Sequence, residues 1–143
     1  MGVAIRLAIT QDMNRCLALI SMLIGEKQKA GWEAAYRDLL EGKRGIILVA
    51  ENKGEILGVL TASYNLSIRY GGEYCQIEEL IVDSRGRGNN VGGLLVMEAI
   101  NIAKAHGCAE IGVYLIESTE SNRPFYEKFG FEYIGSELRQ QLV

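Results

Sequence analysis

Residues 77–96 read IEELIVDSRGRGNNVGGLLV. Ile77, Leu80, Ile81 and Val82 give a strand signal, apolar and mostly β-branched. The run RGRGNNVGG interrupts it, and Leu94, Leu95, Val96, Met97, Ala99 and Ile100 resume as an apolar helix. A glycine-rich turn feeding a helix N-terminus leaves backbone N–H groups without intrahelical partners, at the positive end of the helix dipole. Such a turn suits phosphate, and the guanidinium groups of Arg85 and Arg87 add to it.

Two common phosphate-binding patterns are not met. The P-loop needs GxxxxGK[ST], and no lysine or hydroxyl residue follows Gly92–Gly93. The dinucleotide pattern GxGxxG finds Gly86 and Gly88 but places Val91 at its third glycine. No second βαβ unit with a ribose-binding acid follows. A plain strand–turn–helix connection would need fewer glycines and arginines than this turn holds.

The order strand, then V-D-x-x-x-R-G-x-x-V-G, then an apolar helix resembles the acetyl-CoA-binding core of the GNAT superfamily of N-acetyltransferases, whose pattern is Gln/Arg-x-x-Gly-x-Gly/Ala. Two registers are open. From Arg85 the pattern reads RGRGNN, with Asn90 at the final Gly/Ala; from Arg87 it reads RGNNVG, with Asn90 at the first Gly. The second is preferred because the helix then starts directly after Gly92, as in the family. Asparagine tolerates a left-handed backbone better than most non-glycine residues, so Asn90 can keep the loop's shape. A second stretch, SNRPFYEKFGFEYIG at residues 121–135, is similar to the family's C-terminal signature, a helix ending Y-E-K-x-G-F followed by a strand. Ser121 or Asn122 is expected to cap that helix, Pro124 to sit in its first turn and Gly130 to end it. Phe131, Tyr133 and Ile134 then read as a strand.

The chain has 143 residues, enough for one domain over 1–143 with a real core. Its formal net charge of −3 argues against a general nucleic-acid binder. No apolar run is long enough to span a bilayer, and no signal-peptide pattern is present. Cys16, Cys75 and Cys108 are isolated and odd in number, and read as reduced thiols of a cytoplasmic protein. No His/Cys/Asp/Glu cluster has metal-ligand spacing. His106, at the end of the long helix, reads as a helix C-terminal residue.

Hydrophobic periodicity predicts a strand over 3–9, a helix capped by Thr10 or Asp12 to about 24, and a helix over 32–40. Strands over 46–50 and 56–67 should form a hairpin through Asn52-Lys53-Gly54, with further strands over 74–82 and 111–116. The order β-α-α-β-β-β-α-β-α-β is an α/β fold of α+β type, a mixed, largely antiparallel sheet with helices on both faces.

Amine acetylation needs a base to take a proton from an acceptor whose pKa lies near ~10.4, and a donor for the leaving thiolate. The resemblance implies that Glu78, Glu79 and Tyr126 do this work. In many relatives the base stands six residues before the valine matching Val82; here that is Gln76, which cannot act so. In a regular strand Glu78 shares a face with Gln76, Leu80 and Val82, and Glu79 points the other way. Glu78 is therefore the preferred base and Glu79 the second choice. The resemblance also implies that Leu80, Ile81, Val82, Arg87, Gly88, Asn89, Asn90, Val91, Gly92 and Gly93 hold acetyl-CoA as co-substrate. Asn122 joins them or caps its helix, because Thr119 stands where many relatives have a cofactor-contacting Asn.

The implied activity is direct attack of a primary amine on acetyl-CoA in a ternary complex. The acceptor is expected to be a small molecule, with Trp32, Tyr36, Tyr70, Tyr74, Glu26 and Glu33 as candidate acceptor-site residues. Neither a metal, a nucleic acid nor a membrane enters the reading, and a homodimer is compatible with it. A protein or peptide N-acetyltransferase, and a non-catalytic acyl-CoA-binding module, are the alternatives.

Overall fold

The computed structural model describes residues 2–143. Strand β1 (Ala4–Leu7) leads through a 3-10 turn into helix α1 (Met13–Ile24), then α2 (Trp32–Leu40), β2 (Gly45–Asn52), β3 (Glu55–Ser67) and β4 (Gly72–Val82). Helix α3 (Val91–His106), the short β5 (Ile111–Val113) and the one-turn α4 (Arg123–Glu127) complete it. The five strands lie in chain order, antiparallel except for the β4–β5 pair. This is the mixed, largely antiparallel sheet that the periodicity predicts.

The turns follow their residues. Lys53 and Gly54 both have positive φ (52° and 79°), as a tight hairpin with the right-handed strand twist requires. Gly25 ends α1 and Gly107 ends α3 in left-handed conformation. Neither Thr10 nor Asp12 caps α1 through its side chain; instead the Asp12 carboxylate accepts from the Ile9 N–H (2.9 Å).

The two faces of the sheet bury separate cores. On one, α1 and α2 pack Cys16, Leu17, Leu19 and Ile20 against Ile47, Val49, Ile56 and Val59. On the other, α3 packs Val91, Leu95, Val96 and Ala99 against Ile46, Leu48, Leu60 and Ile77, with Tyr126 of α4 in the same cluster. Cys16, Cys75 and Cys108 are free, and the first two are buried. His106 stacks on Tyr64 (centroids 3.8 Å apart) and meets Glu73 at 2.9 Å, so it serves the end of α3 as expected.

Two expectations at the C-terminal end are corrected. β5 stops at Val113 rather than continuing to 116. Residues 131–143 form no strand: Ile134 and Leu138 are almost fully exposed, and Phe131 instead packs its ring edge-on to Tyr126. A β-prone sequence becomes a strand only where a neighbour completes its ladder and its packing. Here β5, the adjoining edge, is three residues long.

The one densely charged, largely buried group ties β1 to the start of α1. Arg6 donates to Asp12 (2.7 Å) and Glu51 (2.8 Å), and Asp12 is 7% exposed. The Arg6 guanidinium holds the Asp12 carboxyl below its usual range. A carboxyl depressed in the folded state stabilises above its unfolded pKa of about 3.9, and the contribution is lost as pH falls through the folded value. Asp12→Asn should therefore lower stability by roughly 1–3 kcal/mol near neutral pH. In urea unfolding followed by circular dichroism, the gap between the two proteins should close progressively below pH 4.

Candidate active site

β4 carries the site because of an irregularity in its ladder. Thr61 of β3 faces Glu79, but the next residue, Ala62, faces Ile77. Glu78 is the extra residue of a bulge, and the inside–outside alternation reverses across it. Cys75 and Ile77 point into the α3 core before the bulge; Leu80 and Val82 do so after it. The premise that Glu78 shares a face with Leu80 and Val82, opposite Glu79, is thereby corrected. Both carboxylates lie on the α1–α2 face. Each is held by a β3 hydroxyl: Thr61 donates to Glu79, and Ser63 donates to Glu78 (2.6 Å).

Their surroundings differ. Glu78 is exposed, while Glu79 is half-buried and lines a pocket of about 220 Å³ beneath α1 and α2. Burial pushes the Glu79 carboxyl up; the Thr61 hydrogen bond offsets part of this, and the nearby Glu78 charge adds to it. Trp32 and Tyr36 line the same pocket. Tyr70 and Tyr74 do not: they stack edge-on under Arg69 at the β3–β4 end of the sheet. Glu26 pairs with Lys29 (3.2 Å) and Glu33 with Arg37 (3.5 Å), both on the surface.

β5 pairs with β4 only from Cys75 to Ile77, while β4 runs on to Val82. Beyond Ile77 the β5-side edge of β4 has no ladder partner. The gap opens beside the two glutamates and ends at the loop before α3. There Arg87 is extended (φ −66°), Gly88 left-handed (φ 81°) and Asn90 left-handed (φ 56°) at the head of α3. With Gly92, Gly93 and Phe125 these residues line a cleft of about 190 Å³. Asn90 meets the conformational demand expected of it, and its side chain turns back over Gly93, where a Cβ would lie 2.2 Å from its Oδ1. Asn89 donates to the Arg87 carbonyl (3.2 Å).

Arg85 is not part of this cleft. It binds Asp83 and Glu55, and Asp83 also accepts from Arg15 of α1 (2.6 Å). That favours the register beginning at Arg87, whose guanidinium has no ion-pair partner among the described residues. The free N–H groups at the start of α3, a glycine on its first turn and an unpaired arginine fit a pyrophosphate.

Tyr126 is 7% exposed, with its ring edge-on to Phe125 and Phe131. Burial pushes its phenol up, keeping it protonated at neutral pH. No fully buried side-chain polar atom lacks a partner, and the Tyr126 hydroxyl has no hydrogen bond among the described residues, so the hydroxyl reaches the surface. Asn122 precedes α4 but makes no capping bond through its side chain, so the expected cap is not formed by it. Pro124 occupies the first turn, and Gly130 (φ 92°) ends the segment as expected. Thr61, Ser63 and Phe125 were not legible as site residues. Two hydroxyls at alternate positions of β3, Thr61 and Ser63, were the available signal for the first two.

Comparison with known proteins agrees with this arrangement. The model of the acetyltransferase (GNAT) family matches residues 9–131. Glucosamine 6-phosphate N-acetyltransferase of Trypanosoma brucei brucei is 27% identical over 142 residues, covering 96% of this chain and 95% of that protein. A probable glucosamine 6-phosphate N-acetyltransferase 2 of Oryza sativa subsp. japonica is 28% identical over 141 residues, covering 93% and 83%. Among solved structures, a transcriptional regulator from Bacillus halodurans C-125 superposes with a TM-score of 0.88 at 25% identity, covering 99% of this chain and all of that one. No helix among the described residues is long and apolar enough to cross a membrane. Matched by the family model over residues 9–131, with a bulged β4 and a glycine-rich loop at the head of α3, this chain is a member of the acetyltransferase (GNAT) family.

Proposed function

We propose that the protein transfers an acetyl group from acetyl-CoA to the primary amine of a small molecule, by direct attack in a ternary complex. One observation carries this reading: the bulge puts both carboxylates on the α1–α2 face, with Glu79 lining the pocket, at the point where β5 leaves β4. Bound acetyl-CoA supplies the activated thioester. The N–H groups and Arg87 at the head of α3 fit its pyrophosphate, and the open edge of β4 offers backbone groups to an extended chain.

Glu79 is the base. Its pocket and its raised pKa suit the removal of a proton from an ammonium, and Thr61 fixes one of its oxygens. Glu78, one residue away on the surface, adds negative charge that attracts the cation. A backbone N–H of the open β4 edge can donate to the carbonyl oxygen as charge develops. Tyr126 donates its phenolic proton toward the sulfur as the C–S bond breaks. Three unpaired cysteines support a reducing compartment, and we place the enzyme in the cytoplasm.

The direct test is CoA release, read as free thiol, over a panel of amines. Turnover with at least one amine is expected, whereas tight acetyl-CoA binding without turnover on any would favour a non-catalytic module. Glu79→Gln should lower kcat by roughly a hundredfold or more, with partial recovery at high pH where free amine is abundant. Glu78→Gln should change kcat less, and the reverse order would transfer the base to Glu78. In wild-type enzyme kcat/KM should fall on the acid side as Glu79 is protonated, with a midpoint above that of an ordinary glutamate. Tyr126→Phe keeps the ring packing, so thermal stability and acetyl-CoA affinity should hold while kcat falls on the order of tenfold to a thousandfold. Gly92 faces Phe125, where a Cβ would sit 3.4 Å from the ring. Gly92→Val should fold, and should weaken acetyl-CoA binding at least tenfold by calorimetry.

A further inference from the structure

The pocket beneath α1 and α2 has a chemistry that narrows the acceptor. Leu17, Ile20, Ile24, Trp32 and Leu39 form most of its wall. No lysine, arginine or histidine lines it, and Glu79 is its one carboxylate. The pocket's two hydroxyls are already engaged: Tyr36 donates to the Ile9 carbonyl (2.7 Å) and Thr61 donates to Glu79. What remains for a ligand is one carboxylate and the Trp32 indole N–H in an otherwise apolar chamber. Placing a phosphate there would set it against Glu79 with no cationic side chain, and several sugar hydroxyls would lose more water contacts than these two groups return.

The geometry points to an acceptor that is a primary amine on an apolar body, an arylalkyl- or alkylamine without phosphate, seated with its ammonium on Glu79 and its hydrocarbon between α1 and α2. This rests on the acetyltransferase reading above and goes beyond it, since it separates the chain's acceptor from the glucosamine 6-phosphate of its named relatives. Size agrees. A cavity of about 150 Å³ takes benzene, so the 220 Å³ here admits a ring with a short chain. The cation is the element that recognises Glu79, and the apolar wall supplies affinity through burial. In the reaction the ammonium gives one proton to Glu79, its nitrogen bonds to the acetyl carbon, and the C–S bond breaks as Tyr126 protonates the departing thiolate; the second nitrogen proton then leaves the amide and restores the Tyr126 phenol, and Glu79 gives its proton to water, so amide, CoA thiol and one proton are released.

Trp32 is the only tryptophan in the chain, so its fluorescence reports this pocket without reference to turnover. With CoA present, 2-phenylethylamine should shift Trp32 emission saturably, and glucosamine 6-phosphate should not at tenfold higher concentration. In the rate assay, kcat/KM for 2-phenylethylamine should exceed that for glucosamine 6-phosphate at least tenfold. Ile24→Arg, at the half-exposed rim, should fold and weaken the 2-phenylethylamine response at least tenfold while leaving acetyl-CoA affinity unchanged. A higher kcat/KM for glucosamine 6-phosphate, or no Trp32 response to 2-phenylethylamine, would overturn the inference. A saturable Trp32 response that Ile24→Arg weakens, with no turnover on any amine, would support the pocket's ligand class and overturn the catalytic reading instead.

Discussion

Between Ile77 and Glu79 the ladder of β4 against β3 gains one residue, and a pleated strand cannot take up an odd residue without reversing which side each later side chain faces. Without that reversal, a strand that buries Cys75 and Ile77 against α3 would bury Glu79 there as well, unpaired in an apolar core. With it, Leu80 and Val82 take the α3 side, and the two glutamates turn together toward α1 and α2. The same reversal coincides with the end of the β5 ladder, so the strand edge opens where the carboxylates emerge. The two glutamates, the open edge and the glycine-rich loop are therefore successive features of one stretch of chain.

Much of this was legible in the sequence. Local chemistry dictates the hairpin at Lys53-Gly54, the helix ends at Gly25 and Gly107, and the left-handed Asn90, and each is found where expected. The turn before α3 was readable for the same reason: its glycines and Asn90 set the backbone within a few residues of one another. What was not legible depends on partners distant in the chain. The bulge at Glu78 is a relation between β4 and β3, and strict alternation read from β4 alone gives the wrong face. The absent final strand depends on how far β5 extends, not on the β-prone residues after Gly130. The roles of Thr61 and Ser63 likewise appear only once β3 lies beside β4.

The two cores also explain how the site is held. α1 and α2 set the depth of the Glu79 pocket, and α3 carries the glycine-rich loop on the opposite face. Arg15 of α1 reaches Asp83 at the end of β4, and Asp83 accepts the Arg85 N–H that shapes the turn entering the loop. A single carboxylate thus joins the helix layer on one face to the loop serving the other.

That two-sided arrangement has an evolutionary consequence. The residues that line the α1–α2 pocket and those that line the cleft at the head of α3 have no member in common, and substitutions at separated sites without shared partners combine nearly additively. In the proposed reading, Leu17, Ile20, Trp32 or Leu39 can change to suit a new amine without altering the lining of the cleft at the head of α3. In the proposed reading the two sites have walls on opposite faces of the sheet and meet at the open edge of β4. A fold partitioned this way can diversify its acceptors by substitutions on one side alone.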